Sequence, residues 1–244
     1  MAERFAIADF HYAHRGLWQP GGPAENSLEA FQAAASAGYG AEFDVRPAQC
    51  GTPMIFHDPL LDRLTDGSGL FASYSASELD GLTLAGGGKI PHLADLLEIW
   101  PGETPLLCEL KIDGVTDFAA FAAAVAAQLS AYSGPIAAMS FSVPAIAALP
   151  PEIMRGQLIS PRRRIGQVAW QDAMDRLSPE RIDYLACYTS DAEAAGAWAA
   201  AHSMPMVVWT VTNAADSAKL AAQADALIFE GWMPDLPEGG RLNG

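Results

Sequence analysis

The chain has 244 residues, half of them hydrophobic, with 14 Lys and Arg against 29 Asp and Glu and a net charge of −15. That length and apolar content allow one sizeable α/β core and exclude disorder from low hydrophobicity. So acidic a chain lacks the basic face that a polynucleotide requires, which excludes nucleic acid as a partner, and its surface repels anionic membranes.

The N-terminal stretch has no apolar run long enough for a signal-peptide core, and no stretch approaches ~18 uninterrupted apolar residues. A soluble, cytoplasmic protein without a membrane span is expected. Cys50, Cys108 and Cys187 stand far apart with no CxxC pair and read as reduced thiols. Nothing in the sequence sets the oligomeric state.

The first predicted strand, residues 11–14, ends on His14-Arg15-Gly16. A His can move a proton near neutral pH and an Arg can grip phosphate with two prongs. A helix is predicted over 27–37, with Ser27 as its N-cap and Gly38 as its stop. The second strand, 41–45, holds Glu42 and Asp44 on either side of Phe43. Side chains at i and i+2 share one face of a strand. Two buried carboxylates side by side are costly unless a cation compensates them, and Mg²⁺ or Ca²⁺ takes such oxygen ligands. Two exposed carboxylates on an edge strand are the alternative.

The next extended run, 54–57, follows too short a connection for a crossover helix, with Gly51 and Pro53 as turn residues. Residues 41–57 therefore read as an antiparallel hairpin on the second strand, which places His57 roughly opposite Glu42 and Asp44. Residues 59–91 form a small insertion over the mouth of one domain spanning 1–244. The strand at 106–110 ends in Glu109 and Lys111. Glu109 offers a third carboxylate to the same cation and Lys111 a charge for a phosphate oxygen; a plain salt bridge between the two is the alternative.

Strands then follow at 136–141, 154–159, 184–187, 206–211 and 226–229, with helices at 117–131, 191–201 and 214–222. With 54–57 set aside, eight parallel units remain, the number that closes a TIM (β/α)8 barrel. An open doubly wound sheet is the runner-up, but the Gly86-Gly87-Gly88 run lacks the strand and helix of a phosphate loop. The tail, 234–244, is expected to fray. Trp209, at the mouth end of a late strand, is a candidate for packing against a bound ligand.

Together these residues resemble the glycerophosphodiester phosphodiesterases. The resemblance runs through His14-Arg15-Gly16, Pro23-Ala24-Glu25-Asn26-Ser27, Glu42-Phe43-Asp44-Val45, His57-Asp58, Leu61-Asp62-Arg63, Ile90-Pro91-His92-Leu93, Glu109-Leu110-Lys111 and Val208-Trp209-Thr210-Val211, in order along almost the whole chain. It implies hydrolysis of glycerophosphodiesters to glycerol 3-phosphate and an alcohol. Glu42, Asp44 and Glu109 then correspond to ligands of a divalent cation, His14 and His57 to the acid–base pair, and Arg15 and Lys111 to phosphate contacts. The sequence departs from the family at Ile228-Phe229-Glu230, where Thr-Asp is common. Glu25 is left either to orient His14 or Arg15 or to hold the helix start. Two rivals stay open: a lysophospholipase D-type phosphodiesterase on the same fold, and a catalytically silent glycerophosphodiester-binding protein.

Overall fold

Eight short runs of buried residues alternate with helices and form the strands of a closed ring. The computed structural model describes residues 4–115 and 117–237, so residues 238–244 of the tail expected to fray lie outside the described residues. The strands are β1 (Tyr12–His14), β2 (Gly40–Pro47), β3 (Pro53–Ile55), β4 (Leu106–Leu110), β5 (Ile136–Ser140), β6 (Met154–Leu158), β7 (Tyr184–Tyr188), β8 (Met206–Val211) and β9 (Ala226–Phe229). All except β3 pair in parallel in the order β1-β2-β4-β5-β6-β7-β8-β9, and β9 returns to β1 to close the barrel. The predicted hairpin is present: β3 runs antiparallel to β2 outside the ring, with Val45 opposite Ile55 and Arg46 opposite Met54.

The helices of the described residues are α1 (Leu28–Ser36), α2 (Ala76–Gly81), α3 (Leu93–Ile99), α4 (Phe118–Ala131), α5 (Val143–Ala147), α6 (Arg162–Ile165), α7 (Gln167–Asp175), α8 (Ala192–Ala201) and α9 (Ala214–Leu220). Ser27 caps α1 as its sequence implied, accepting a hydrogen bond from Ala30 N, and Gly38 ends it at φ 80°. α4 buries Phe121, Ala122, Val125, Ala126 and Leu129, one stripe at helical spacing. No helix among the described residues is long and apolar enough to cross a membrane.

Two apolar layers stabilise the ring. Between strands and helices, Phe31 of α1 meets Phe43 of β2 edge to face at 6.0 Å. Each such fully buried side chain contributes ~1.5–3 kcal/mol. Inside the ring, Tyr12, Leu107, Met139, Tyr184, Val207 and Ile228 fill the barrel. The Tyr184 ring needs Gly156 beside it, because a Cβ there would sit 2.2 Å from the ring. The segment after β3 has a third apolar cluster, in which Phe56 stacks on Phe71 at 4.9 Å. The layer filled inside the barrel ends just below the C-terminal ends of the strands, and the polar side chains stand above it.

Candidate active site

Strand register brings the acidic residues together. His14 of β1 is level with Glu42 of β2, and Asp44 of β2 is level with Glu109 of β4. Parallel neighbours lie about 4.8 Å apart, so side chains on one face converge. One oxygen from each of Glu42, Asp44 and Glu109 lies within 4.8 Å of the others, and all three residues are buried. These are the three carboxylates singled out in the sequence.

The cations of the same sequence motifs close around them. Lys111 Nζ stands 2.9 Å from Asp44 Oδ1 and 2.7 Å from Glu109 Oε1. Arg15 takes a left-handed backbone, φ 59°, and its N–H donates to Glu42 Oε2 at 3.2 Å. Its Nη1 donates to Glu25 Oε1 at 2.5 Å, while its buried Nε, 3.3 Å from Asp44 Oδ2, has no well-directed acceptor. Gly16 makes this turn possible: it sits at φ 79°, and a Cβ there would lie 2.7 Å from the Ala30 backbone. Asn26 Nδ2 donates to Asp44 Oδ2 at 2.9 Å.

These neighbours separate the carboxylates electrostatically. Burial alone would push Asp44 up, but Lys111 and Arg15 outweigh it and hold Asp44 well below the usual carboxylate range. Glu42 goes the other way: burial, then the charges of Asp44 and Glu109, push it well up. Burial also raises Glu109, against the pull of Lys111. A buried, all-oxygen set left with more negative charge than its cations neutralise fits a hard divalent cation.

Both histidines reach the mouth with Nδ1 against a carboxylate. His14 Nδ1 lies 2.5 Å from Glu230 Oε2 of the segment after β9, and His57 Nδ1 lies 2.6 Å from Asp58 Oδ1. The Nε2 of His14 faces the acidic cluster, 3.9 Å from Glu42 Oε2. Burial lowers the pKa of both rings, against the pull of Glu230 on one and Asp44 on the other. Arg46 Nε fixes the His57 backbone by donating to its carbonyl at 2.7 Å. Arg63 ties the site to the segment after β3: it donates to both Glu25 oxygens at 2.8 and 2.9 Å and to Asp58 Oδ2 at 2.6 Å. The hydrogen bonds from Arg63 hold Asp58 down to about 2, against burial.

The opposite side of the mouth is aromatic. Trp209 of β8 packs on the barrel interior and stands edge-on to Phe141, after β5, at 5.7 Å, and to Tyr188 of β7 at 5.3 Å.

Of the eight residues proposed from the sequence for the site, seven are therefore grouped on or just after β1, β2, β4 and the hairpin strand β3, with Trp209 of β8 across the mouth. The sequence reading missed Glu230, Asp58, Asn26 and Arg63 as partners, and Phe141 and Tyr188 as the aromatic wall. Glu25 pairs with Arg15 and Arg63, and the helix start belongs to Ser27 instead. His11 and His202 lie outside this group and have local partners: His11 Nδ1 accepts from Leu227 N at 3.3 Å, and His202 Nδ1 donates to Trp198 O at 2.8 Å.

Residues 14–140, which carry the acidic and basic half of this mouth apart from Glu230, match the sequence profile of the glycerophosphoryl diester phosphodiesterase family. No curated protein matches the chain. A phosphodiesterase from Oleispira antarctica, solved in complex with the product sn-glycerol-3-phosphate, is 29% identical, with 90% of this chain and 92% of that chain covered and a TM-score of 0.75. Glycerophosphodiester phosphodiesterases from Thermotoga maritima (24% identical, 93% and 95% covered, TM-score 0.73) and Parabacteroides distasonis (23%, 95% and 94%, TM-score 0.72) share the fold. The profile match begins at His14 and passes through every carboxylate of the cluster, and on that ground the chain belongs to the glycerophosphoryl diester phosphodiesterase family, as a phosphoric diester hydrolase on a TIM barrel.

Proposed function

We propose that this chain hydrolyses glycerophosphodiesters to glycerol 3-phosphate and an alcohol, with a divalent cation, Mg²⁺ or Ca²⁺, held by Glu42, Asp44 and Glu109. The observation that carries the reading is the convergence of three buried carboxylates within 4.8 Å between two histidines and two cations. The product bound by the Oleispira antarctica enzyme supports the same substrate class. A cation bound at the carboxylates supplies charge neutralisation and Lewis acidity toward the phosphoryl oxygens.

The protein's own groups do the rest. Lys111 presents a point charge and Arg15 a planar fork for the phosphate oxygens, and the buried Nε of Arg15 has no well-directed acceptor within the protein. His14 and His57 each have Nδ1 engaged by a carboxylate, which fixes the ring and leaves Nε2 to exchange a proton. One imidazole takes a proton at Nε2 from the attacking water, and the other, which must hold a proton on Nε2 when the P–O bond breaks, gives it to the departing alcohol. Trp209 packs against the alcohol side.

The test is kcat/KM for glycerol 3-phosphate release in Arg15→Lys and Lys111→Met. Arg15→Lys keeps the charge but loses the fork, and an unmade hydrogen bond to a charged group costs ~1.5–3 kcal/mol, or about tenfold and more. Losses of that size in both variants are expected, with circular dichroism unchanged. Unchanged kinetics in either would put the phosphate elsewhere.

A further inference from the structure

The two halves of the mouth differ in charge as well as in chemistry. On the aromatic half, the Arg163 guanidinium lies over the Tyr188 ring, its Cζ 4.4 Å from the centroid, and its Nη2 donates to the Tyr188 hydroxyl at 2.8 Å. Arg163 belongs to Arg162-Arg163-Arg164, which supplies three of the chain's 14 basic residues from the segment just after β6. Arg162 is already committed: its backbone N–H donates to Asp191 Oδ2 at 2.8 Å and its Nε lies 3.3 Å from Asp191 Oδ1. Among the described residues, Arg163 and Arg164 form no ion pair, and both are exposed.

An aromatic wall usually receives a cationic headgroup on its ring faces. Here a face of Tyr188 is already covered by a cation, and a quaternary ammonium arriving at the same wall would meet that unneutralised guanidinium. An anionic group on the alcohol would instead gain charge-assisted hydrogen bonds. In a protein of net charge −15, an unpaired guanidinium at this wall is a local source of positive charge. Resting on the hydrolase reading above, we propose that Arg163, seated on Tyr188 beside Trp209 and Phe141, selects glycerophosphodiesters whose alcohol carries a further anionic group, and disfavours choline esters.

Three esters separate the contributions: glycerophosphocholine, glycerophosphoinositol and glycerophosphoinositol 4-phosphate. The last two share an alcohol and differ by one phosphate. For the wild type at low salt, kcat/KM for the 4-phosphate ester should exceed that for the choline ester by about tenfold or more, since one such interaction corresponds to a factor of that order. In Arg163→Gln the ratio should fall to about threefold or less, carried by KM, and high salt should compress the wild-type ratio in the same direction. Arg163 is exposed, so folding is little disturbed. A wild type that prefers the choline ester, or an Arg163→Gln variant that keeps the full ratio, would overturn the proposal while the hydrolase reading stands. If none of the three esters releases glycerol 3-phosphate, the hydrolase reading fails and takes this proposal with it.

Discussion

His14→Ala and His57→Ala are each expected to lower kcat by ~10²–10⁴-fold, the range for loss of a positioned general acid or base. Each ring has Nδ1 on a carboxylate, Glu230 for His14 and Asp58 for His57. That leaves Nε2 as the working atom in both. Neither side chain fills the barrel core, so truncation removes the proton-transfer group without opening a large apolar cavity. Retained near-ultraviolet circular dichroism alongside the rate loss would separate chemistry from unfolding. Glu230→Gln serves as the graded comparison: it keeps a hydrogen-bond acceptor for His14 but loses the charge, so its loss should be smaller than that of His14→Ala. Near-normal turnover in either His→Ala variant would remove that histidine from the mechanism.

Glu42→Gln and Asp44→Asn should both abolish metal-dependent turnover, yet change the stability of the metal-free protein in different ways. Asp44 holds Lys111, Asn26 and the Nε side of Arg15. Removing its charge leaves Lys111 with Glu109 alone and Arg15 with Glu25 alone, and breaking a buried pair costs up to about 3–5 kcal/mol. Glu42 receives only the Arg15 backbone N–H at 3.2 Å, and His14 stays 3.9 Å away. Its folded pKa is raised, so its contribution is favourable only at low pH and turns unfavourable as pH climbs through and above the ordinary carboxylate range. Asp44, with a lowered pKa, contributes stability above that range and loses it as pH falls. Urea unfolding at pH 7 in chelator should therefore show Asp44→Asn strongly destabilised. Glu42→Gln should lie within about 1 kcal/mol of wild type or above it, as expected when a poorly paired buried charge is neutralised. Added divalent ion should raise the wild-type midpoint and leave Glu42→Gln unmoved. Equal destabilisation of both variants would contradict this division of roles.

The carboxylates were legible because they interrupt apolar strands at a spacing of two: Glu42-Phe43-Asp44 in one strand and Glu109-Leu110-Lys111 at the end of another. That periodicity also yielded the eight-unit ring and the hairpin, since no crossover helix fits between Asp44 and His57. The helical spacing of α4 was equally plain. α6 and α7 were not, because Pro161 and the Gly166 turn at φ 84° cut a polar, Arg-rich stretch into two short pieces without an apolar stripe.

Second partners were hidden for a different reason. Glu230 meets His14 across 216 positions, and only closure of β9 against β1 brings them together. In the sequence it showed only as a departure from the family's pattern. Arg63 sat inside a matched motif without a visible role until Glu25 and Asp58 were seen on either side of it. Phe141 ends one predicted strand and Tyr188 follows another, and an aromatic in such a place carries no local mark that it faces the mouth.

The central claim is cation-dependent hydrolysis at the Glu42–Asp44–Glu109 cluster. Its most direct test is release of glycerol 3-phosphate from a panel of glycerophosphodiesters by the wild-type protein, before and after exhaustive chelation and after return of Mg²⁺ or Ca²⁺. Turnover that disappears with chelation and returns with one of these ions is the predicted result. Full turnover after exhaustive chelation would contradict the account.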